Sequence, residues 1–357
     1  MKKPFEPELL PIIFENEEII KLNKKVIKAR ELIKEINIRT EHSKLNEAIF
    51  YLFTINESLQ STRIEGTQSS FNEVVEADVT SKRNADTLEI KNYIEALNEG
   101  IKLLRDLPIG TKLIKALHKE MLKSGRGSNS NVGEYRKVQN WIGGISMENA
   151  KHIPPIANNI DLYMSNLESY INSIDEDLDE LIKVAIIHAQ FETIHPFLDG
   201  NGRVGRLLII LYLYDKGLIN HKVFNISEEI EKNKLKYYAY LDETRKDNPN
   251  WIGWINFFLD CIINQSKRNI EKFKEVEMLY NTLINIVNDN NLKLNYIDYI
   301  FKNPIFTINN LAATLNVSYI TAKNNIKKLE DLKFIFGEDK KKNKKYYFYD
   351  LLKIFDI

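Results

Sequence analysis

The residues best suited to chemistry lie in twelve consecutive positions, His195-Pro196-Phe197-Leu198-Asp199-Gly200-Asn201-Gly202-Arg203-Val204-Gly205-Arg206. An imidazole titrates near neutral pH, so His195 can take a proton from an attacking hydroxyl. Asp199 offers a hard oxygen ligand of the kind that holds Mg²⁺ against phosphate oxygens. Gly200 and Gly202 lack a Cβ, so the backbone there can take left-handed angles and approach a ligand closely. Successive N–H groups around Asn201, running into a helix start, form an anion-binding concavity. Arg203 and Arg206 are three apart, which places two guanidiniums on one face of the first helical turn. Their fork geometry suits phosphate. Together these residues describe phosphoryl-type transfer from a nucleotide, driven by positioning and charge neutralisation.

Taken singly, each residue has a plainer reading: a histidine before proline is an ordinary loop residue, and Gly-Asn-Gly is an ordinary turn. The run is not a Walker A loop, because no Gly-Lys-Ser/Thr follows. Nor is it a zinc-protease site, because His188 and Glu192 do not form His-Glu-x-x-His. The elements around it must hold it rigid. Residues 179–190 are apolar at Leu181, Ile182, Val184, Ala185, Ile186 and Ile187 and predict a mostly buried helix, and 204–214 predict a second one closed by Gly217. The twelve residues are therefore a loop and a first helical turn between two core helices.

As a joint pattern the run resembles the signature of the Fic (filamentation-induced-by-cAMP) family, His-Pro-Phe-x-Asp-Gly-Asn-Gly-Arg-x-x-Arg, at every defined position. The resemblance covers about residues 40–260. It implies transfer of AMP from ATP to a Ser, Thr or Tyr hydroxyl of a target protein, with His195 as base and Asp199 holding Mg²⁺. The Gly200, Asn201 and Gly202 amides and Arg203 would cradle the phosphates, and Arg206 would meet the γ-phosphate. Upstream, Ser61-Thr62-Arg63-Ile64-Glu65-Gly66 resembles the family's inhibitory motif, Ser/Thr-x-x-x-Glu-Gly/Asn, through Ser61, Glu65 and Gly66. Two short extended pieces, one before Gly144 and one at His152–Pro155, predict a β-hairpin. By resemblance it is a flap bordering the site, with Asn140, Trp141, Ile142 and Gly143 facing a target segment. Tyr237, Tyr238 and Arg245 stand where the family borders the nucleotide base, although core packing explains either tyrosine equally well.

Composition sets the frame. The chain has 357 residues with 50 Lys plus Arg against 50 Asp plus Glu, so no overall field draws it to nucleic acid or membrane. Its single cysteine, Cys261, falls in an apolar helical run and reads as core, which excludes a disulfide framework. No signal-type apolar region follows the N-terminus and no run is long enough to span a bilayer, so a cytoplasmic protein is expected. Near the C-terminus, helix, helix-turn-helix and two strands follow in the order of a winged helix. Ser318–Tyr349 carries nine lysines against four acids, a local charge suited to DNA or simply to solvent.

The expected fold is all-α, a Fic-type helical domain with a small β-hairpin flap, plus a C-terminal winged helix with its own small core. The expected division is 1–40 as arm and helix, 41–260 as catalytic domain with the inhibitory helix at 58–66, 261–290 as linking helix, and 291–357 as winged helix. The expected partners are ATP, Mg²⁺ and a target protein; self-modification, a homodimer and DNA at the winged helix stay open. Two other readings stand beside AMP transfer: a hydrolase removing AMP through Glu65, and a DNA-binding regulator with a nucleotide-sensing Fic domain. UMP in place of AMP is not excluded by the motif.

Overall fold

Apolar residues recurring at helical spacing, with helix-start residues before them, make this a helical chain. The computed structural model describes residues 3–43, 47–80, 84–128, 131–174, 178–219, 223–289, 292–340 and 343–355. The first helices are α1 (Asn16–His42), α2 (Glu47–Ile64), α3 (Phe71–Thr80), α4 (Ala85–Leu103) and α5 (Thr111–Met121). Then come α6 (Ile160–Asn172), α7 (Glu180–Ile194), α8 (Asn201–Asp215), α9 (Ser227–Lys232), α10 (Lys234–Glu243) and α11 (Trp251–Asp289). Starts follow local chemistry: Asn84 caps α4 by accepting from Thr87 N–H, and Asp179 caps α7 by accepting from Leu181 N–H.

The helices α7 and α8 pack together at the centre. Every residue of α7 from Leu181 to Ile194 is buried, which fits a helix apolar on all sides. Around them α4 lies on α5, α2 on α4 and α9, and α1 along α11. Cys261 is buried on α11. The N-terminal arm is extended and packs on the domain: Phe5 N–H donates to Ile153 O at 2.8 Å, and Asn166 bonds both the N–H and the C=O of Leu10 at 2.9 Å. Among the described residues no helix is long and apolar enough to cross a membrane.

The helices α9 and α10 part at Asn233, whose side-chain amide donates to the Glu229 carbonyl at 3.0 Å. Such a bond competes with helix propagation. Two expectations change. The flap is not a hairpin ladder but one bridge, Ile142 with His152. Between them Gly143 and Gly144 take positive φ, and Asn149 Oδ1 gathers the Ile145 and Ser146 N–H groups, so local turn bonds replace strand pairing. Finally, the C-terminal segment does not keep a core to itself. It consists of α12 (Leu294–Lys302), β1 (Ile305–Thr307), α13 (Ile308–Leu315), α14 (Tyr319–Asp331), β2 (Phe336–Gly337), β3 (Lys345–Tyr347) and α15 (Tyr349–Phe355). The three short strands form an antiparallel sheet in the order β1-β3-β2, with Ile305 and Phe336 both opposite Tyr347. Here α12 lies on α2, β1 on α3, and α15 on α3 and α11. Phe355 stacks on Phe71 with centroids 5.1 Å apart and meets Phe53 edge-on at 5.1 Å, so one apolar core runs from α1 to α15.

Candidate active site

The chemical loop begins where α7 ends. His195 takes the left-handed conformation (φ 49°, ψ 61°) at the helix C-cap, which turns the chain away from the axis. From there to Gly200 (φ 78°), the N-cap of α8, five groups brace the backbone. Phe197 is fully buried and stacks on the His118 ring with centroids 3.8 Å apart. His118 Nδ1 accepts from Gly133 N–H at 2.8 Å, so its Nε2 carries the proton and donates to Asp199 O at 3.0 Å. Burial lowers the His118 pKa to about 4, which keeps it in that neutral tautomer. Arg136 is buried and donates from Nε to His195 O at 3.0 Å and from its backbone N–H to Pro196 O at 2.8 Å. Asn201 closes the loop from inside: Oδ1 accepts from Phe197 N–H at 2.8 Å and Nδ2 donates to Phe197 O at 2.9 Å. Asn140 Nδ2 donates to the same carbonyl at 3.1 Å and ties the flap to the loop.

The charged groups then fall into place. Burial, followed by the nearby Arg245 guanidinium, lowers the His195 pKa to about 3, so its imidazole is neutral at pH 7. Arg245 is itself anchored, Nε to Thr193 Oγ1 at 3.1 Å. Arg203 is 1% exposed, with Nη1 3.5 Å from Glu89 and Nη2 3.5 Å from Asp199 Oδ1, while its buried Nε has no hydrogen-bond partner. An orphaned guanidinium donor beside a helix N-terminus is what an anion would satisfy. Asp199 is half-exposed: Oδ1 accepts from Gly200 N–H at 2.6 Å, and a Cβ on Gly127 would collide with Oδ2. That carboxylate fits Mg²⁺, which usually takes one or two protein carboxylates and fills its sphere with phosphate oxygens and water.

Arg206 reaches the other way, to α2. It donates from Nε to Ser61 Oγ at 2.9 Å, and from Nη2 to Ser61 O at 2.9 Å and Glu65 Oε1 at 2.7 Å. Burial pulls the Arg206 pKa down, but Glu65, Tyr237 and Glu192 together outweigh it and the net shift is upward. Burial likewise pushes the Glu65 carboxyl up, and Arg206, followed by Arg203, outweighs it, so the net shift is downward. Both stay ionised as a pair. Gly66, at φ 98°, lets α2 end there and turn. A Cβ on Gly202 would overlap Glu65 Oε1, so the carboxylate lies directly on the glycine of the anion turn.

The structure thus brings His195, Asp199, Gly200, Gly202, Arg203, Arg206, Ser61 and Glu65 together. It uses others differently from expectation. The Asn201 side chain is committed to Phe197, leaving only its backbone amide for a phosphate. Tyr237 is 1% exposed and its hydroxyl bonds His188 Nε2 at 2.9 Å, so it packs the core and presents no face to a base. Tyr238 is half-buried beside it, and Trp141 is 42% exposed on the flap. Sequence reasoning missed His118, Arg136 and Glu89, which reach the loop from far upstream with no local spacing to mark them.

The chain matches the model of the Fic/DOC family over residues 108–213 and that of its N-terminal region over 23–102, together more than half its length. The chain belongs to the Fic family. It is 26% identical over 257 residues to a probable protein adenylyltransferase of Aquifex aeolicus, spanning 67% of this chain and 76% of that one. It is 30% identical over 154 residues to the protein adenylyltransferase Fic of Aedes aegypti, 43% of this chain but 28% of that protein. A Fic family protein from Desulfovibrio desulfuricans shares the fold over 96% of this chain and 98% of its own, with TM-score 0.61 and 20% identity. A Fic domain containing signaling protein from Bacteroides thetaiotaomicron does so over 70% of this chain and 97% of its own, with TM-score 0.53 and 19% identity.

Proposed function

We propose that this Fic protein transfers AMP from ATP to a hydroxyl of a Ser, Thr or Tyr on a target protein, and that Glu65 holds the site silent. The carrying observation is His195 at the C-cap of α7, on the same loop as an anion turn beside an orphaned arginine donor. The relatives' names agree with that chemistry. In this reading the Gly200–Gly202 amides and Arg203 bind the phosphates and Asp199 would hold Mg²⁺, which supplies neutralisation of phosphate charge. His195 accepts the proton of the target hydroxyl as that oxygen attacks the α-phosphorus and pyrophosphate leaves. Arg206 serves the γ-phosphate, yet the same guanidinium is bound to Glu65, so the two uses exclude each other. ATP meeting a docked Glu65 is misplaced, and an error of about 1 Å can cost on the order of 10²-fold.

The test is AMP incorporation from labelled ATP into lysate proteins and into the enzyme itself, for wild type and Glu65→Gly at equal concentration. Strong labelling by Glu65→Gly over a weak wild type supports the reading; equal rates would remove Glu65 as a restraint. The removal reading draws on the same carboxylate beside Gly202 and predicts instead AMP release from a modified target that Glu65→Gly abolishes. The C-terminal segment has the element order of a winged helix, with Tyr319, Lys323, Asn324 and Lys327 exposed along α14. We read it as a winged helix available to DNA or protein, and a salt-sensitive mobility shift of duplex DNA distinguishes the two.

A further inference from the structure

Glu192 is a buried group for which the proposed reaction has no task. It lies on α7 one turn before His195 and is 6% exposed. Its Oε1 is buried with no hydrogen-bond partner, and Oε2 lies 3.9 Å from His195 Nδ1, a buried nitrogen that also faces the Glu192 backbone carbonyl. Across the interface, a Cβ on Gly205 would overlap Glu192 Oε1. The glycine of α8 therefore makes room for this carboxyl, whereas an apolar pair would fill the space without one. An unpaired buried carboxyl is costly unless something compensates it.

We propose that Glu192 is a positioning residue for His195: its carboxylate holds the imidazole with the proton on Nδ1 and Nε2 bare, and it steadies the imidazolium formed when Nε2 takes the target's proton. The inference rests on the transfer reading above. The balance is simple: the target oxygen bonds the α-phosphorus, the α–β bridge breaks, pyrophosphate leaves, and the hydroxyl proton ends on Nε2 while Glu192 takes none. The 3.9 Å gap must close by about 1 Å to become a hydrogen bond, a common tightening when substrate seals a site. Protonated Glu192 does the opposite. Its O–H donates to Nδ1, which moves the imidazole proton to Nε2 and blocks the base.

The groups facing Glu192 are Arg206 on α8, Glu65 just after α2, Tyr237 and Tyr238 on α10, Arg245 just after α10, and His188 on its own helix. Burial first, with Glu65 adding to it against Arg206 and Arg245, raises the Glu192 pKa to about 7. The tautomer of His195 should therefore change with pH near neutrality.

The experiment compares wild type and Glu192→Gln, each with and without Glu65→Gly. It measures kcat and KM for ATP across mildly acid to mildly alkaline pH, and the His195 tautomer by ¹⁵N NMR of labelled histidine. The expected result is a kcat at least about tenfold lower in Glu192→Gln with KM for ATP unchanged. The acid limb of the pH profile and the tautomer transition should both disappear. Retention of the wild-type profile and transition in Glu192→Gln overturns the proposal. If no form transfers AMP but Glu192→Gln abolishes the tautomer transition, the pairing stands and the transfer reading falls; without any transition in wild type, the pairing falls.

Discussion

In the proposed reaction an imidazole, a half-exposed carboxylate and two buried guanidiniums divide the work, and each can be removed separately. His195→Ala should reduce AMP transfer by about 10²–10⁴-fold while leaving nucleotide binding nearly intact, because a general base acts in the transition state. Calorimetric ATP affinity beside single-turnover labelling checks both halves. Arg203→Ala should instead weaken ATP binding, since phosphate charge loses its buried partner; unchanged affinity would remove Arg203 from the cradle. Glu192 permits a prediction with a sign. Its pKa rises from 4.5 to about 7 on folding, so between those values the folded chain binds a proton that the unfolded chain has released. Stability then declines as pH rises through that window and stays lower above it. Glu192→Gln should therefore raise Tm above pH 7 and leave it unchanged below about pH 4. Thermal melts at two pH values test this, and a gain in stability with a loss in rate is the pattern of a group kept for function.

At the scale of elements, the loop's identity was legible in sequence and its supports were not. His195 through Arg206 are contiguous, so types and spacing alone describe the chemistry. Asp179, Asn84 and Thr307 each accept a backbone N–H at the start of a helix, as short polar side chains favour. By contrast Arg136 meets His195 across 59 residues, His118 meets Asp199 across 81, and Glu89 meets Arg203 across 114. Nothing in local periodicity marks such partners: the packing of α4 and α5 beside α8 brings in Glu89 and His118, and the irregular segment after α5 brings in Arg136. The flap failed as a hairpin for a related reason: Asn149 offered its backbone neighbours a local bond that extended pairing would have forgone. Arg136 shows how much one distant side chain carries. It donates to the carbonyls of His195, Val138 and Pro155, so Arg136→Ala leaves three acceptors short of a partner. A loss of roughly 1–3 kcal/mol is expected where such groups stay dry. Because those carbonyls belong to the loop and flap, kcat should fall more than ATP affinity, and urea melts with steady-state kinetics would show the split.

Across the whole molecule α2 and the C-terminal segment share one core, which joins two parts that the sequence presents as separate. The sequence shows the change of pattern after residue 292 but not the two pieces that make the junction. β1 is three residues long and α15 seven, too short for periodicity to register. Through α15 Phe355 packs on Phe53 and Phe71, and next to β1 the first residue of β3, Lys345, pairs with Glu76 of α3. Phe53 lies on α2, the helix that carries Ser61 and Glu65 to Arg206. A chain ending at Asp289 would uncover Phe53, Phe71 and the α12-facing side of α2, and exposed aromatic surface of that kind costs both stability and solubility. It should melt earlier than the full chain and aggregate, where a segment with its own core would leave Tm unchanged. Phe355→Ala is the milder probe, with an expected loss of about 3–5 kcal/mol for a buried phenylalanine. If α2 is held in place from the C-terminal side, Phe355→Ala should also loosen Glu65 and raise AMP incorporation above the wild-type level before the protein unfolds. Labelling assayed well below the variant's Tm decides it: a rate equal to wild type would mean that the C-terminal segment stabilises α2 without bearing on the Glu65–Arg206 contact.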